Sequence, residues 1–117
     1  MARYHLRQVG IDVGDLDAMI SFWSAALGYE LHHREAGYAV LHDPAAAEPR
    51  IFLQQVPEAK VAKNRVHLDL EVPDESAAVS RLTGLGARVL WREDFGTHYW
   101  TVLADPEGNE FCVGHFG

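Results

Sequence analysis

His67, Asp69 and Glu71 alternate with Val66, Leu68, Leu70 and Val72. Period two makes this a strand, with an imidazole and two carboxylates on one face and aliphatic side chains on the other. A neutral imidazole, with a reference pKa of about 6.5, suits proton transfer near neutral pH. Asp69 or Glu71 could orient or tune it. The plainer use of the two carboxylates is solvation, or pairing with Arg7 or Arg65. The plainer use of His67 is as a hydrogen-bonded, half-buried strand residue. Cys112 has no basic neighbour or helix start in its local sequence, so it reads as a small apolar filler rather than a nucleophile. Aromatic residues form a second group. Trp91, Phe95, His98, Tyr99 and Trp100 cluster late in the chain, and Tyr38 and Phe52 fall in earlier strands. Small-molecule pockets combine such rings with a few placed polar groups.

The elements that must position these residues follow from periodicity. Residues 6–13 read as a strand, with Val9, Ile11 and Val13 opposite Gln8, Gly10 and Asp12. Asp15 can cap a helix over 16–27, whose apolar face is Leu16, Met19, Ile20, Trp23 and Leu27. Phe22 and Trp23 are expected in a core or an interface. Gly28 stands where a helix ends. Strands are expected over 29–33, 37–42 and 51–56. Strand 66–72 follows, then a helix begun by Pro73-Asp74 and closed by Gly86, then strands 87–91, 99–104 and 110–115. Asp105-Pro106-Glu107-Gly108-Asn109 reads as a turn.

The second half repeats the first. Gln8 to His67 and Asp15 to Asp74 are each 59 residues apart, Leu27-Gly28 to Leu85-Gly86 is 58, and Asp43-Pro44 to Asp105-Pro106 is 62. The reading is one domain over 1–117, made of module 1 (6–56), a linker (57–65) and module 2 (66–116). Ten basic and 17 acidic residues give a formal charge of −7, which disfavours nucleic acid and anionic membrane as partners. A single cysteine excludes an intrachain disulfide. No apolar run approaches the roughly 20 residues of a membrane span, and the N-terminus lacks an apolar signal core. A cytoplasmic location is the expectation.

Three segments carry a resemblance: 12–29 (Asp12-Val13-Gly14-Asp15-Leu16 to Phe22-Trp23 and Leu27-Gly28-Tyr29), 64–70 (Asn64-Arg65-Val66-His67-Leu68-Asp69-Leu70) and 105–113, which begins Asp-Pro-Glu-Gly-Asn-Glu-Phe. Together they resemble the vicinal-oxygen-chelate superfamily of glyoxalases, bleomycin-resistance proteins and extradiol dioxygenases, and its small glyoxalase-like domain proteins in particular. The resemblance implies an α+β fold. Two βαβββ modules would form a cupped half-barrel of mixed sheet with helices outside and a ligand in the cup. With the apolar strand faces turned to the helices, the cup floor is expected to hold Gln8, Gln54, His67 and Cys112.

Metal-dependent relatives carry ligands at these four positions. Here two are neutral amides, so only His67 and Cys112 remain as strong donors, and no metal is expected. A rearranged site for Zn, Ni, Fe or Mn is the alternative. The expected function is metal-free binding of a small, partly aromatic molecule, of sequestration or resistance type. Gln8, Tyr38, Phe52, Gln54, His67, Asp69, Trp100 and Cys112 would form the site. The alternative is a lyase, epimerase or isomerase of glyoxalase type with His67 as general base. A protein–protein accessory module is a third class. The resemblance also implies a homodimer, which would cover open sheet edges.

Overall fold

Two aspartates start the two helices. Asp15 accepts the Ala18 N–H at 3.0 Å ahead of α1 (Leu16–Leu27), and Asp74 accepts the Ala77 N–H at 3.0 Å ahead of α2 (Glu75–Gly84). Each satisfies a donor that the first helical turn leaves open. Gly28 ends α1 in the left-handed region at φ 68°. The computed structural model describes residues 2–117, so Met1, the first residue of the span read as the domain, lies outside them.

In chain order β1 (Gln8–Val13) precedes α1, and β2 (Glu30–Glu35), β3 (Tyr38–His42) and β4 (Arg50–Gln55) follow it. Then β5 (Leu68–Glu71) precedes α2, and β6 (Arg88–Asp94), β7 (Tyr99–Ala104) and β8 (Glu110–His115) follow. This is βαβββ twice, an α+β fold of two helices and two four-stranded mixed sheets, neither closed. The chain divides into two units, one ending at Ala59 and the other spanning Lys60–Gly117.

The first sheet has the order β1-β4-β3-β2, with β1 and β4 parallel and the other pairs antiparallel. Val13, Ala39, Leu41, Ile51 and Leu53 are buried with Leu16, Met19, Phe22 and Trp23 of α1, which packs on β3 and β4. Phe22 and Trp23 meet edge to face at 5.1 Å, as the core reading requires. The second sheet repeats the order as β5-β8-β7-β6. Leu103, Phe111 and Val113 are buried there, and α2 contributes Leu82. One buried side chain is a light anchor for a helix, and a polar one adds to it. Glu75 accepts Arg92 Nε at 3.0 Å and Nη2 at 2.8 Å, and the Thr101 hydroxyl at 3.0 Å.

The strand bounds differ from the periodic reading most at β5 and β6. β5 is shorter than 66–72, and Val66, expected on the apolar face, is 75% exposed. Its side chain lies before the first bonded pair, so alternation there has no sheet to act on. β6 runs on to Asp94 instead of ending at Trp91. Both β2 and β6 carry an irregularity that the alternation hides: one extra residue between Leu31 and His33, and one between Val89 and Trp91.

The Asp-Pro turns close both modules in the same way. Asp43 accepts the N–H groups of Ala45 at 2.9 Å, Ala47 at 3.1 Å and Glu48 at 3.2 Å. Asp105, 2% exposed, accepts those of Glu107 and Asn109 at 2.9 Å and the Asn109 amide at 3.0 Å. No helix among the described residues is long and apolar enough to cross a membrane. Asp105→Ala would strand three donors at the entry to β8, and we expect a loss of about 2 kcal/mol in unfolding free energy, read from the urea midpoint.

Candidate functional site

Register builds the site one row at a time. β5, β8, β7 and β6 line up Asp69, Cys112, Val102 and Trp91 in one row and Glu71, Gly114, Trp100 and Glu93 in the next. Alternation puts both rows on the face away from Phe111, Val113 and Leu103. This face opens on a cavity of about 320 Å³, lined from these rows by Asp69, Trp91, Glu93, Trp100, Val102 and Cys112. Lys63 and His67 line it before β5, Glu110 at the start of β8 and Phe116 after it.

Gly114 is what lets Trp100 take its place. A Cβ there would lie 2.2 Å from the Tyr99 carbonyl oxygen and 2.5 Å from the Trp100 Cα, so only glycine fits between β7 and β8 at this row. Trp100 then stacks on Phe116, with centroids 5.8 Å apart, and on His98 at 6.1 Å, while Phe95 lies 5.5 Å away. The rings hold one another in a bank, with Trp100 on the cavity.

The polar end centres on Asp69. Its Oδ1 lies 3.1 Å from His67 Nε2, and Cys112 shares a side-chain hydrogen bond with it. Burial pushes the Cys112 thiol up to about 11, and the Asp69 charge and hydrogen bond add to the rise. The thiol is 5% exposed and holds its proton. Glu71 faces His115 Nδ1 at 3.0 Å and accepts the Phe116 N–H at 3.1 Å, which hold its carboxyl below the ordinary range. The partners of Asp69 and Glu71 are therefore histidines, not Arg7 or Arg65. Burial works to raise Glu110, but Lys60 at 3.1 Å and the Asn64 N–H at 3.3 Å outweigh it and lower its pKa.

The structure brings His67, Asp69, Trp100 and Cys112 to this cavity. Gln8, Tyr38, Phe52 and Gln54 lie on the first module's sheet. Gln8 pairs with Arg50 and Gln54 with Asp12, four residues further along, which is about 13 Å of strand. Gln8 and Gln54 therefore do not meet. In the register, Phe52 of β4 holds the place that Cys112 holds in β8, and its ring lies 5.5 Å from that of Tyr38. Sequence reasoning missed Glu93 and Phe116 and left Trp91 among the aromatics without a role. Ending the strand at Trp91 left Glu93 outside it, although a longer strand would have set Trp91 and Glu93 on one face. Phe116 follows the last strand and has no periodic signal.

The divalent ion that the resemblance implies can be tested against the donors present. His67, Asp69 and Cys112 each offer one ligand atom, and these lie within 4.8 Å of one another. Imidazole, carboxylate and thiolate suit a thiophilic ion such as Zn²⁺ in kind, whereas Mg²⁺ and Mn²⁺ prefer oxygen. Asp69 is the donor that the sequence reading had not counted. The three groups also satisfy one another, and among the described residues no buried side-chain N or O lacks a hydrogen-bond partner.

Residues 8–114 match the family model of the glyoxalase-like domain. No curated protein matches the chain in sequence. Solved structures do match in fold. A glyoxalase/bleomycin resistance protein/dioxygenase family enzyme from Burkholderia phytofirmans has a TM-score of 0.79 at 20% identity, over 95% of this chain and 98% of that one. A fosfomycin resistance protein from Listeria monocytogenes, solved with Mn(II) and a dihydroxypropylphosphonic acid, has 0.82 at 12% identity, over 100% and 93%. A lactoylglutathione lyase from Agrobacterium tumefaciens has 0.71 at 17%, over 97% and 95%.

Two outcomes follow from the geometry. Gly114→Ala should cost about 1–3 kcal/mol by urea unfolding and change Trp100 fluorescence, because backbone must move to admit a methyl group. Cys112 should resist a disulfide reagent at pH 8 in the folded protein and react at once in denaturant. The folded thiol holds its proton more tightly than the ordinary value of 9.0, so stability should fall as pH rises from 9.0 towards about 11. Cys112→Ser should flatten that slope in urea unfolding at stepped pH.

Proposed function

Because the chain belongs to the glyoxalase-like domain family, within the vicinal-oxygen-chelate superfamily, we propose that it binds a small, partly aromatic molecule in the second module's cavity without a bound metal, as a sequestering protein does. The observation that carries this reading is the lining. Trp91, Trp100 and Phe116 stand around about 320 Å³, with His67, Asp69 and Cys112 together as a polar group. Ligand sites commonly span roughly 300–1,000 Å³ and have this apolar character with few polar groups. The Cys112–Asp69 hydrogen bond and the His67–Asp69 contact support a polar end that stands without an ion. The proposal includes a cytoplasmic homodimer: the single cysteine suits a reducing compartment, and β1, β2, β5 and β6 are edge strands of their sheets.

A specific observation supports a second reading. His67 Nε2 at 3.1 Å from Asp69 is a base with an orienting carboxylate, which suits a lyase, epimerase or isomerase of glyoxalase type. A thiophilic ion on His67, Asp69 and Cys112 would supply Lewis-acid polarisation of a substrate oxygen. A newly found activity that survives His67→Ala would remove the general-base role.

A thermal-shift and fluorescence screen with planar aromatic compounds tests the first reading, since a ligand that prefers the folded state raises its apparent stability. We expect hits, with affinity reduced about tenfold or more by Trp100→Ala. No shift across a broad panel would overturn binding. Stoichiometric Zn, Ni, Fe or Mn in protein purified without chelator would overturn its metal-free part.

A further inference from the structure

The charges on the cavity are one-sided. Asp69, Glu93 and Glu110 line it against a single ammonium, that of Lys63. Two of the three carboxylates already have company. Glu110 is held by Lys60 and Asn64, and Asp69 by His67 and Cys112. Glu93 is different. It is half-buried, and its carboxylate makes no hydrogen bond or ion pair among the described residues. A carboxylate on a cavity wall without a partner is open to pairing with a bound cation, and the pairing strengthens as the ligand displaces water around it.

Its neighbours suit the same ligand. Glu93 stands directly opposite Trp100 across the β6–β7 pair and two residues from Trp91 on the same face. An indole face attracts a cation through its quadrupole, most strongly where water is excluded. The flat ring that the indoles can also stack is the apolar body already proposed.

We infer that the molecule this cavity takes is an organic cation, an amine or similar cationic group on an aromatic body, with Glu93 as its counter-charge and Trp91 and Trp100 as its walls. The inference rests on the reading of the cavity as a small-molecule site and adds the charge of the ligand to it. The chain's net charge of −7 acts in the same direction at longer range, drawing cations in and holding anions off.

Three ligands with one aromatic body separate the two claims: naphthylmethylammonium, naphthylmethanol and naphthoate, titrated by tryptophan fluorescence. The ammonium should bind about tenfold or more tightly than the alcohol, and naphthoate should bind weakest. Glu93→Gln should bring the ammonium down to the level of the alcohol. Lys63→Gln removes the one opposing charge and should tighten the ammonium, which gives a second variant should Glu93→Gln not fold. Equal binding of ammonium and alcohol to the unmodified protein would overturn the cation and leave the aromatic site standing. Binding of none of the three would overturn both.

Discussion

Strand β8 is hydrogen-bonded on both sides, in parallel by β5 and antiparallel by β7, and its alternation decides where the rest of the second module stands. Phe111 and Val113 go into the core and Cys112 and Gly114 to the cavity. A slip of one residue would exchange the two sets. A thiol and a hydrogen would then lie where the core needs volume, and a phenyl ring would fill the ligand space. The buried Asp105 turn fixes the residue at which β8 begins. Gly114 fixes how closely β7 may approach. Both act on a single degree of freedom, the register, and every side chain of the polar end inherits its position from it.

Much of this was legible in the residues. Period two separated the faces of β1, β4, β5 and β8, because a strand with one buried face can keep its aliphatic side chains from water only one way round. Asp15, Asp74 and Gly28 marked helix ends because unpaired N–H and C=O groups there need particular chemistry. The site was legible where it lies on regular strand, as with Asp69, Trp100 and Cys112, and at His67, one residue before β5. It was not where pairing departs from regularity. The extra residue in β6 moves Trp91 and Glu93 to a face that counting from Val89 would not give them, and Val66 lies beyond the pairing altogether. Asp69 was visible as a carboxylate two residues from His67 on one face, but its contact with Cys112 depends on which residue opposes it across β5 and β8. That is a long-range property with no local signature.

The two modules show how much a scaffold leaves open. At matching places in the register the first sheet carries Gly10, Phe52, Val40 and His33, and the second Asp69, Cys112, Val102 and Trp91. Capping aspartates, Asp-Pro turns and buried aliphatic faces recur in both, because each module must solve the same packing problem. Side chains on the other face are free of that demand. They have diverged into a Tyr38–Phe52 ring pair in one module and a carboxylate–thiol–imidazole group beside indoles in the other.

The extra residues in β2 and β6 fall between Leu31 and His33 and between Val89 and Trp91, the same point of the repeat at a spacing of 58. An extra residue reverses the alternation of everything beyond it, so one strand can serve two faces in turn. In β6 that reversal is what turns Trp91 and Glu93 towards the cavity.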